Sequence, residues 1–194
     1  MHIEDVFTSL IAIDYLLDID NDKLEIACKK EILDIEKCQV GNITQSEYLD
    51  LNNPDFDELI NIVEFKATEF ALKIGLNENY YQKVNKYWAN LDTPEAISVP
   101  HTHPNSMFNC VYYVKGNETS GNIELMDPVA SKNHIFQREH IRVLNNFTTS
   151  SHFFTPQAGK LIIFPSWLCH YVKPNTSSYE RISIAFNTNF ELIK

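Results

Sequence analysis

The periodicity of the apolar residues changes near residue 79, and this change constrains the fold of the 194-residue chain more than any other feature. Before it, apolar positions recur at helical spacing; after it, short apolar segments alternate with turn residues. Helices followed by many short strands predict an α+β fold. A double-stranded β-helix, or jelly roll, hides most strand edges, so we expect that architecture with N-terminal support helices.

We expect one domain over 1–194, divided into an N-terminal strand and support helices over 1–79 and a jelly-roll core over 80–194. The pattern predicts an opening strand over 6–17 and a helix from Asn21 or Asp22 to about Lys37. A second helix is predicted to begin at Asn53-Pro54 and to end at Gly75. Its predicted buried stripe is Leu59, Ile62, Val63, Phe65, Ala67, Phe70 and Ile74. Further strands are predicted at 80–90, 108–114, 122–126, 160–164, 170–172 and 181–188.

The formal net charge is -10, from 26 acidic and 16 basic residues. Nucleic-acid binders present a positive contact face, so we do not expect a nucleic-acid partner. No run approaches the roughly 20 apolar residues of a membrane-spanning helix, and the first residues lack the features of an export signal. We therefore expect a cytoplasmic protein without a membrane partner, and its four cysteines to be free thiols.

Three histidines are candidates for a metal site. His101 and His103 form His-Thr-His, and alternate residues of a strand face the same side, so both imidazoles could reach one ion. His170 begins a predicted strand farther along the chain and could supply a third ligand at the mouth of a barrel. Taken alone, such a pair is more often two ordinary polar side chains near a turn. The other four histidines have no partner at ligand spacing.

A second group of residues could bind a carboxylate. Arg181 and Ser183 share a strand face, and a buried Arg beside a hydroxyl can bind a carboxylate through two hydrogen bonds. Tyr113 could add a phenol to the same anion. Taken singly, Arg181 could be a surface charge and Tyr113 a core aromatic.

With these residues in place, the sequence resembles the iron(II)- and 2-oxoglutarate-dependent dioxygenases over about residues 80–190. More closely, it is similar to a small, mainly bacterial and phage branch of that superfamily. The resemblance rests on five segments: His101-Thr-His103-Pro104, Val111-Tyr112-Tyr113, Gly121 to Asp127-Pro128, Gly159 to His170, and Glu180-Arg181-Ile-Ser183-Ile-Ala-Phe186-Asn187. The last two segments are long and specific.

The resemblance implies a jelly roll, a mononuclear Fe(II), and 2-oxoglutarate and O2 as cosubstrates. His101 corresponds to the first iron ligand and His170 to the distal one. Arg181 corresponds to the residue that pairs with the remote carboxylate of 2-oxoglutarate, with Ser183 beside it and Tyr113 nearby. The implied activity is oxidative decarboxylation of 2-oxoglutarate coupled to hydroxylation of another substrate. Candidate pocket walls are Tyr87, Trp88, Phe108 and Trp167.

The chain departs from the superfamily at one position, where His103 stands in place of the usual carboxylate ligand. His103 could be the third ligand, which is the reading we favour, or lie outside the ligand set, or give way to another carboxylate such as Asp127. The departure leaves two alternatives open: a jelly roll that binds a metal or ligand without turnover, and a three-histidine zinc site.

The primary substrate is not specified by the resemblance. A predicted pocket lid over 128–158 carries Lys132, Arg138 and Arg142, a mixture that suits a protein side chain or a small molecule. Prolyl hydroxylation is the nearest analogy, at the level of the fold. Jelly-roll oxygenases commonly dimerise, which favours a homodimer.

Overall fold

Two antiparallel sheets and two α-helices make up the part of the chain that the structure describes. The structure is a computed structural model, and it describes residues 1–2, 8–33, 43–129 and 138–193. The helices are α1 (Asn21–Leu33) and α2 (Asp57–Lys73). The strands are β1 (Ala12–Tyr15), β2 (Ile43–Gln45), β3 (Tyr80–Asp92), β4 (Phe108–Lys115), β5 (Ile123–Met126), β6 (Ser151–Phe154), β7 (Lys160–Pro165), β8 (His170–Val172) and β9 (Arg181–Leu192).

The strands form a jelly roll of two unequal sheets. The larger sheet has the order β1-β7-β4-β9-β3-β2, and the smaller has the order β6-β5-β8. Every ladder is antiparallel. The longest ladder pairs β3 with β9 and places Asp92 opposite Arg181. The predicted α+β jelly roll is thus confirmed.

The larger sheet is buried on both faces because it separates two apolar clusters. One cluster lies between the sheet and the helices, and includes Tyr112 and Ile184. The other lies between the sheets, and includes Tyr113 and Ile162. Since successive residues of a strand point to opposite faces, the neighbours Tyr112 and Tyr113 enter different clusters. The same alternation points Arg181 and Ser183 of β9 away from the helices.

Helix α1 begins at Asn21 as predicted, but the residue that caps it and the start of α2 differ from the predictions. Asp20, one residue before the predicted cap, accepts a hydrogen bond from the Lys23 N–H at 3.0 Å. Helix α2 begins at Asp57 rather than at Asn53-Pro54. The Asn53 side chain instead accepts the Asp55 N–H, and the Asn53 carbonyl accepts the Phe56 N–H, which makes a turn before the helix.

The predicted buried stripe of α2 is correct at four positions and wrong at Phe65. That ring is 65% exposed because residue 65 lies two positions from both Val63 and Ala67, on the opposite side of the helix. Ile62 and Ile74 are half-buried, and Ile60 and Ala71 complete the stripe. Gly75 follows the helix with φ of 88°, as expected for a helix C-terminus.

Most predicted strands are present, with adjusted ends. Strands β3 and β9 run past their predicted ends at 90 and 188, and β8 has the predicted bounds. Strand β1 is shorter than predicted because residues 8–11 are not strand; residues 3–7 lie outside the described residues. The predicted last turn of α1 also falls in a segment, 34–42, outside the described residues. Neither described helix is long and apolar enough to cross a membrane.

Candidate metal centre and cosubstrate site

Three histidine side chains converge at one edge of the smaller sheet. His101 and His170 form a two-residue antiparallel bridge, in which each N–H donates to the other's carbonyl at 2.9 and 3.0 Å. The His103 N–H donates to the Ser166 carbonyl at 3.1 Å. One ligand atom from each of the three rings lies within 4.8 Å of the other two. The structure therefore brings together the three histidines that the spacing singled out.

The backbone that carries His101 and His103 makes a one-residue bridge rather than a full strand. Only His101 makes a bridge, and His103 lies outside any strand. Pro100 and Pro104 flank the pair, and proline cannot donate to a ladder, so pairing stops after one residue. The convergence of the two rings thus depends on an extended segment in which His101 makes two backbone hydrogen bonds with His170 of β8 and His103 makes one with Ser166, before β8.

Two of the rings are fixed in orientation by backbone carbonyls. His101 Nδ1 lies 2.7 Å from the Val99 carbonyl oxygen, and His170 Nδ1 lies 3.0 Å from that of Leu168. Because a carbonyl can only accept, both Nδ1 atoms carry the proton, and each Nε2 presents its lone pair. This is the arrangement found around metal-binding histidines, in which a hydrogen bond to one nitrogen orients the other.

The surroundings favour neutral imidazoles. Burial lowers the pKa of His103 to about 4 and that of His170 to about 3, with a smaller effect from His101. Both rings are therefore uncharged at pH 7, which is the form that binds metals. Three neutral imidazoles suit iron, zinc, nickel or copper, so the donor set fits the iron that the resemblance implies. Asp127 is not in the cluster, and its carboxylate accepts the Val129 N–H at 2.8 Å.

A cavity of about 290 Å³ lies between the two sheets and contains the histidines. Its volume is near the lower end of the range for small-molecule sites. Arg181, Ser183 and Tyr113, the residues predicted to bind a carboxylate, line the same cavity. The two groups of residues identified separately from the sequence thus line one cavity.

Arg181 is 1% exposed and is already paired with a carboxylate of the protein. Its Nε donates to Asp92 Oδ2 at 2.9 Å, and its Nη2 donates to the same oxygen. Its Nη1 donates to the carbonyls of Ser120 and Gly121 at 2.6 and 2.7 Å. A guanidinium has five N–H donors, so these four hydrogen bonds leave one on Nη2.

The Arg181 side chain is held in place by a close approach of two loops. Gly121 has φ of 86°, and a Cβ there would lie 2.2 Å from the Lys173 carbonyl oxygen. The Asn175 side chain donates to the Asp92 carbonyl at 2.9 Å and so fixes the end of β3.

Tyr113 lines the same cavity and is protonated at neutral pH. Burial raises the pKa of its phenol to about 12, against a lowering effect of Arg181. Its phenol therefore keeps its proton at neutral pH and can donate to an anion.

Several polar residues that line the cavity were not predicted from the sequence, among them Asp92, Asn109 and Asn187. Asn109 and Asn187 are opposite each other on β4 and β9 and are 3% and 6% exposed. Neither atom of the Asn109 amide has a hydrogen-bond partner among the described residues, and the same is true of Asn187 Oδ1. The two-residue alternation of a strand would have predicted both. Asn109 lies two residues from Val111 on β4, and Asn187 lies two residues from Ala185 on β9, and these neighbours also line the cavity.

Of the four residues predicted to form the pocket walls, the structure places one at the cavity. Trp88 lines the cavity, whereas Tyr87 and Phe108 pack in the cluster between the larger sheet and the helices. Trp167 is 56% exposed and does not line the cavity. Of the predicted lid over 128–158, residues 130–137, with Lys132, lie outside the described residues, and Arg142 is exposed.

Comparison with known proteins defines the class of protein. Residues 86–187 match the sequence profile of a family described as "Putative 2OG-Fe(II) oxygenase". The match covers more than half of the chain and all three histidines. The chain belongs to this family of 2-oxoglutarate- and iron(II)-dependent oxygenases, which use Fe(II), 2-oxoglutarate and O2. The resemblance drawn from the sequence is confirmed.

Solved structures share the fold at low sequence identity. A prolyl-4-hydroxylase from Pseudomonas putida is 16% identical, with a TM-score of 0.59 over 96% of this chain and 95% of that one. HygX from Streptomyces hygroscopicus, crystallised with nickel, 2-oxoglutarate and hygromycin B, is 12% identical, with a TM-score of 0.62 over 94% and 83%. A viral collagen prolyl hydroxylase from Paramecium bursaria Chlorella virus-1, in complex with 2-oxoglutarate, is 13% identical, with a TM-score of 0.56 over 92% and 94%. No curated protein matches the chain in sequence.

Proposed function

We propose that His101, His103 and His170 hold the iron of this oxygenase, and that Arg181, Ser183 and Tyr113 bind 2-oxoglutarate. The observation that carries the proposal is the convergence of three imidazoles in a cavity that also contains a buried guanidinium. A three-histidine zinc site that activates water would leave Arg181 and Ser183 without a role. The iron, when bound, supplies the redox chemistry that couples decarboxylation of 2-oxoglutarate to hydroxylation of the substrate.

His103 takes the place of the carboxylate ligand in this proposal. Its ring centroid lies 5.0 Å from that of His101 and 5.2 Å from that of His170, so it belongs to the same cluster. Replacing a carboxylate by a neutral imidazole makes the site more positive by one charge. We expect that extra charge to strengthen binding of a dianionic cosubstrate and to make ferric iron harder to form.

The residues around the histidines orient the ligands and bury the His170 ring, whereas His101 is exposed. The carbonyls of Val99 and Leu168 hold two rings with Nε2 free. The Phe164 ring meets that of His170 edge to face, with centroids 4.8 Å apart. Such a partly apolar enclosure strengthens the electrostatic interactions inside it. Tyr113 and the remaining Nη2–H of Arg181 are the donors for the remote carboxylate.

For the primary substrate, we propose a protein side chain or small molecule that offers an uncharged hydrogen-bonding group. Asn109 and Asn187 support this part of the proposal, because both line the cavity, and the whole Asn109 amide and the Asn187 Oδ1 are buried without partners among the described residues. A buried amide left without a partner costs about 1–3 kcal/mol, and a substrate that bonds it recovers that cost.

Turnover in the absence of the primary substrate tests the assignment. Purified protein is supplied with Fe(II), O2 and 2-oxoglutarate, and succinate is measured for wild type, His170→Ala and Arg181→Ala. His152→Ala is the matched control, since His152 is exposed and does not line the cavity. We expect slow, iron-dependent succinate formation in wild type and the control, and its loss in the other two. Tight zinc binding without any effect of 2-oxoglutarate would instead support the zinc site.

A further inference from the structure

Asp92 places a second carboxylate where the remote carboxylate of the cosubstrate is proposed to bind. Asp92 is 3% exposed and ends β3 directly opposite Arg181. Its Oδ2 accepts from both Nε and Nη2 of the guanidinium. Its Oδ1 is buried and has no hydrogen-bond partner among the described residues. The carboxylate is thus fixed on one oxygen and retains an acceptor on the other.

The pair brings the formal charge at this end of the cavity to zero. Among the described residues that line the cavity, Asp92 is the only carboxylate and Arg181 is the only guanidinium or ammonium group. The hydroxyl groups of Ser183 and Tyr113, which line the same cavity, are neutral. A carboxylate that binds there can accept a hydrogen bond from the remaining N–H of Arg181. It is also repelled by the Asp92 carboxylate, which is paired with the same guanidinium.

We propose that Asp92 sets the cosubstrate selectivity of this oxygenase, by offsetting the Arg181 charge that otherwise favours a dicarboxylate. Binding of 2-oxoglutarate then depends less on its remote carboxylate than it would at an unpaired guanidinium. The cavity accepts 2-oxo acids with an uncharged far end, such as 2-oxopentanoate, with affinity close to that for 2-oxoglutarate. This inference rests on the proposed role of Arg181 in holding the cosubstrate.

The physical reason is the difference between a neutral pair and a lone buried cation. A hydrogen bond between charged groups contributes about 1.5–3 kcal/mol, which corresponds to roughly ten- to hundredfold in affinity. A buried guanidinium without its counterion would recover this and more from a bound carboxylate. With Asp92 present, the Arg181 guanidinium already has a carboxylate partner within the protein, so a bound carboxylate adds less to the affinity.

The experiment compares the dissociation constants of 2-oxoglutarate and 2-oxopentanoate, which have equal chain length and differ in the remote carboxylate. Calorimetric titration of the Fe(II)-loaded protein without O2 gives both constants for wild type, Asp92→Asn and Arg181→Ala. Asp18→Asn is the matched control, because Asp18 is exposed and outside the cavity lining. We expect a preference for 2-oxoglutarate of less than about tenfold in wild type and the control, and roughly tenfold greater in Asp92→Asn.

Thermal unfolding gives a readout that is independent of turnover. Asp92→Asn leaves Arg181 buried without a counterion, so its ligand-free melting temperature is expected to fall. The rise in melting temperature on adding 2-oxoglutarate should then be larger than in wild type, because tighter binding stabilises the folded state more. 2-Oxopentanoate should raise the two melting temperatures by similar amounts.

The outcomes separate this inference from the proposal on which it rests. If Arg181→Ala leaves 2-oxoglutarate binding unchanged, the proposed role of Arg181 fails and the inference fails with it. If Arg181→Ala weakens binding but Asp92→Asn does not raise the preference, only the inference fails. Should Asp92→Asn not fold, the wild-type protein decides: a preference above about tenfold overturns the inference, since roughly ten- to hundredfold is the range for a carboxylate bound by an unpaired guanidinium.

Discussion

The His103 imidazole lies stacked on the Trp88 indole, with ring centroids 5.4 Å apart and the two planes inclined by 16°. The His103 backbone is held by its hydrogen bond to the Ser166 carbonyl, but within the described part of the chain no carbonyl accepts from its ring as carbonyls do from His101 and His170. The indole therefore orients the third imidazole by contact of the two ring faces.

Replacing Trp88 with leucine should weaken metal binding without removing a ligand. An aromatic pair contributes about 0.5–1.5 kcal/mol, so we expect a two- to tenfold rise in the metal dissociation constant. A fluorescence experiment tests the stacking separately. The chain has two tryptophans, so the variant Trp167→Phe keeps only Trp88, and Ni(II) binding should change the fluorescence of that variant. The reciprocal variant, Trp88→Phe, keeps the exposed Trp167 and should show little change; equal responses would argue against the stacking.

Removing the His103 imidazole should lower metal occupancy more strongly. Loss of residues that merely support metal ligands weakens affinity about 10–100-fold, so loss of a ligand should cost at least as much. His103→Ala should therefore lose iron during gel filtration, whereas His103→Asp, which restores a carboxylate ligand, should retain it. Iron content after gel filtration measures both, beside His152→Ala. Full iron retention by His103→Ala would place His103 outside the ligand set.

Gly121 is a position where a single methyl group should disturb the Arg181 site. A Cβ there would meet the Lys173 carbonyl oxygen at 2.2 Å and Arg181 Nη1 at 3.0 Å. Gly75 is the matched control, because it has a similar φ of 88° but no described atom lies within 4 Å of a Cβ built there. Gly75→Ala should cost about 1–2 kcal/mol in the free energy of unfolding. Gly121→Ala should cost about 1–3 kcal/mol more, from the overlap.

Urea unfolding of both glycine variants checks this difference. Gly121→Ala should also bind 2-oxoglutarate more weakly, since the Gly121 carbonyl accepts a hydrogen bond from Arg181. Equal destabilisation of the two variants would show that the loops around Arg181 adjust without cost.

The stability of α1 against the larger sheet should depend on pH through Glu25. Hydrogen bonds from Lys29 and then Lys115 lower the pKa of Glu25 below its ordinary value of 4.5, against the raising effect of burial. A lowered pKa stabilises the folded state above the unfolded-state pKa, and that contribution is lost as the pH falls through the lower, folded-state pKa.

Glu25→Gln should therefore reduce the free energy of unfolding by about 1 kcal/mol at pH 7, and the difference from wild type should shrink below pH 4.5. Urea titrations of both proteins between pH 7 and pH 3 measure it. Glu78→Gln, in an exposed turn, serves as the control with the same loss of charge. A difference that stays constant with pH would exclude the Glu25 contacts as its cause.

Sequence alone predicted the parts of the site that depend on local pattern. His170 begins a strand after a turn at 165–168, and the bounds of β8 were predicted correctly because apolar residues and turn signals surround it. Arg181 and Ser183 were expected on one strand face, and the alternation of β9 places them so. These features follow from the two-residue period of a strand, which the sequence displays directly.

Asp92 could not be predicted in the same way. It lies 89 positions from Arg181 along the chain, and their contact depends on the register of β3 against β9. Strand β2, of three residues, and strand β6, with the sequence Ser-His-Phe-Phe, are too short or too polar to give a periodic signal. Both strands are defined by the partners they pair with.

The most direct test of the account is anaerobic titration of the purified protein with Fe(II) and then with 2-oxoglutarate. Chelation of Fe(II) by the 2-oxo acid gives a weak visible charge-transfer band. We predict this band in wild type and a weaker response in Arg181→Ala at the same 2-oxoglutarate concentration. Absence of the band in wild type, together with its appearance in His103→Asp, would contradict the three-histidine iron site and show that a carboxylate is needed at position 103.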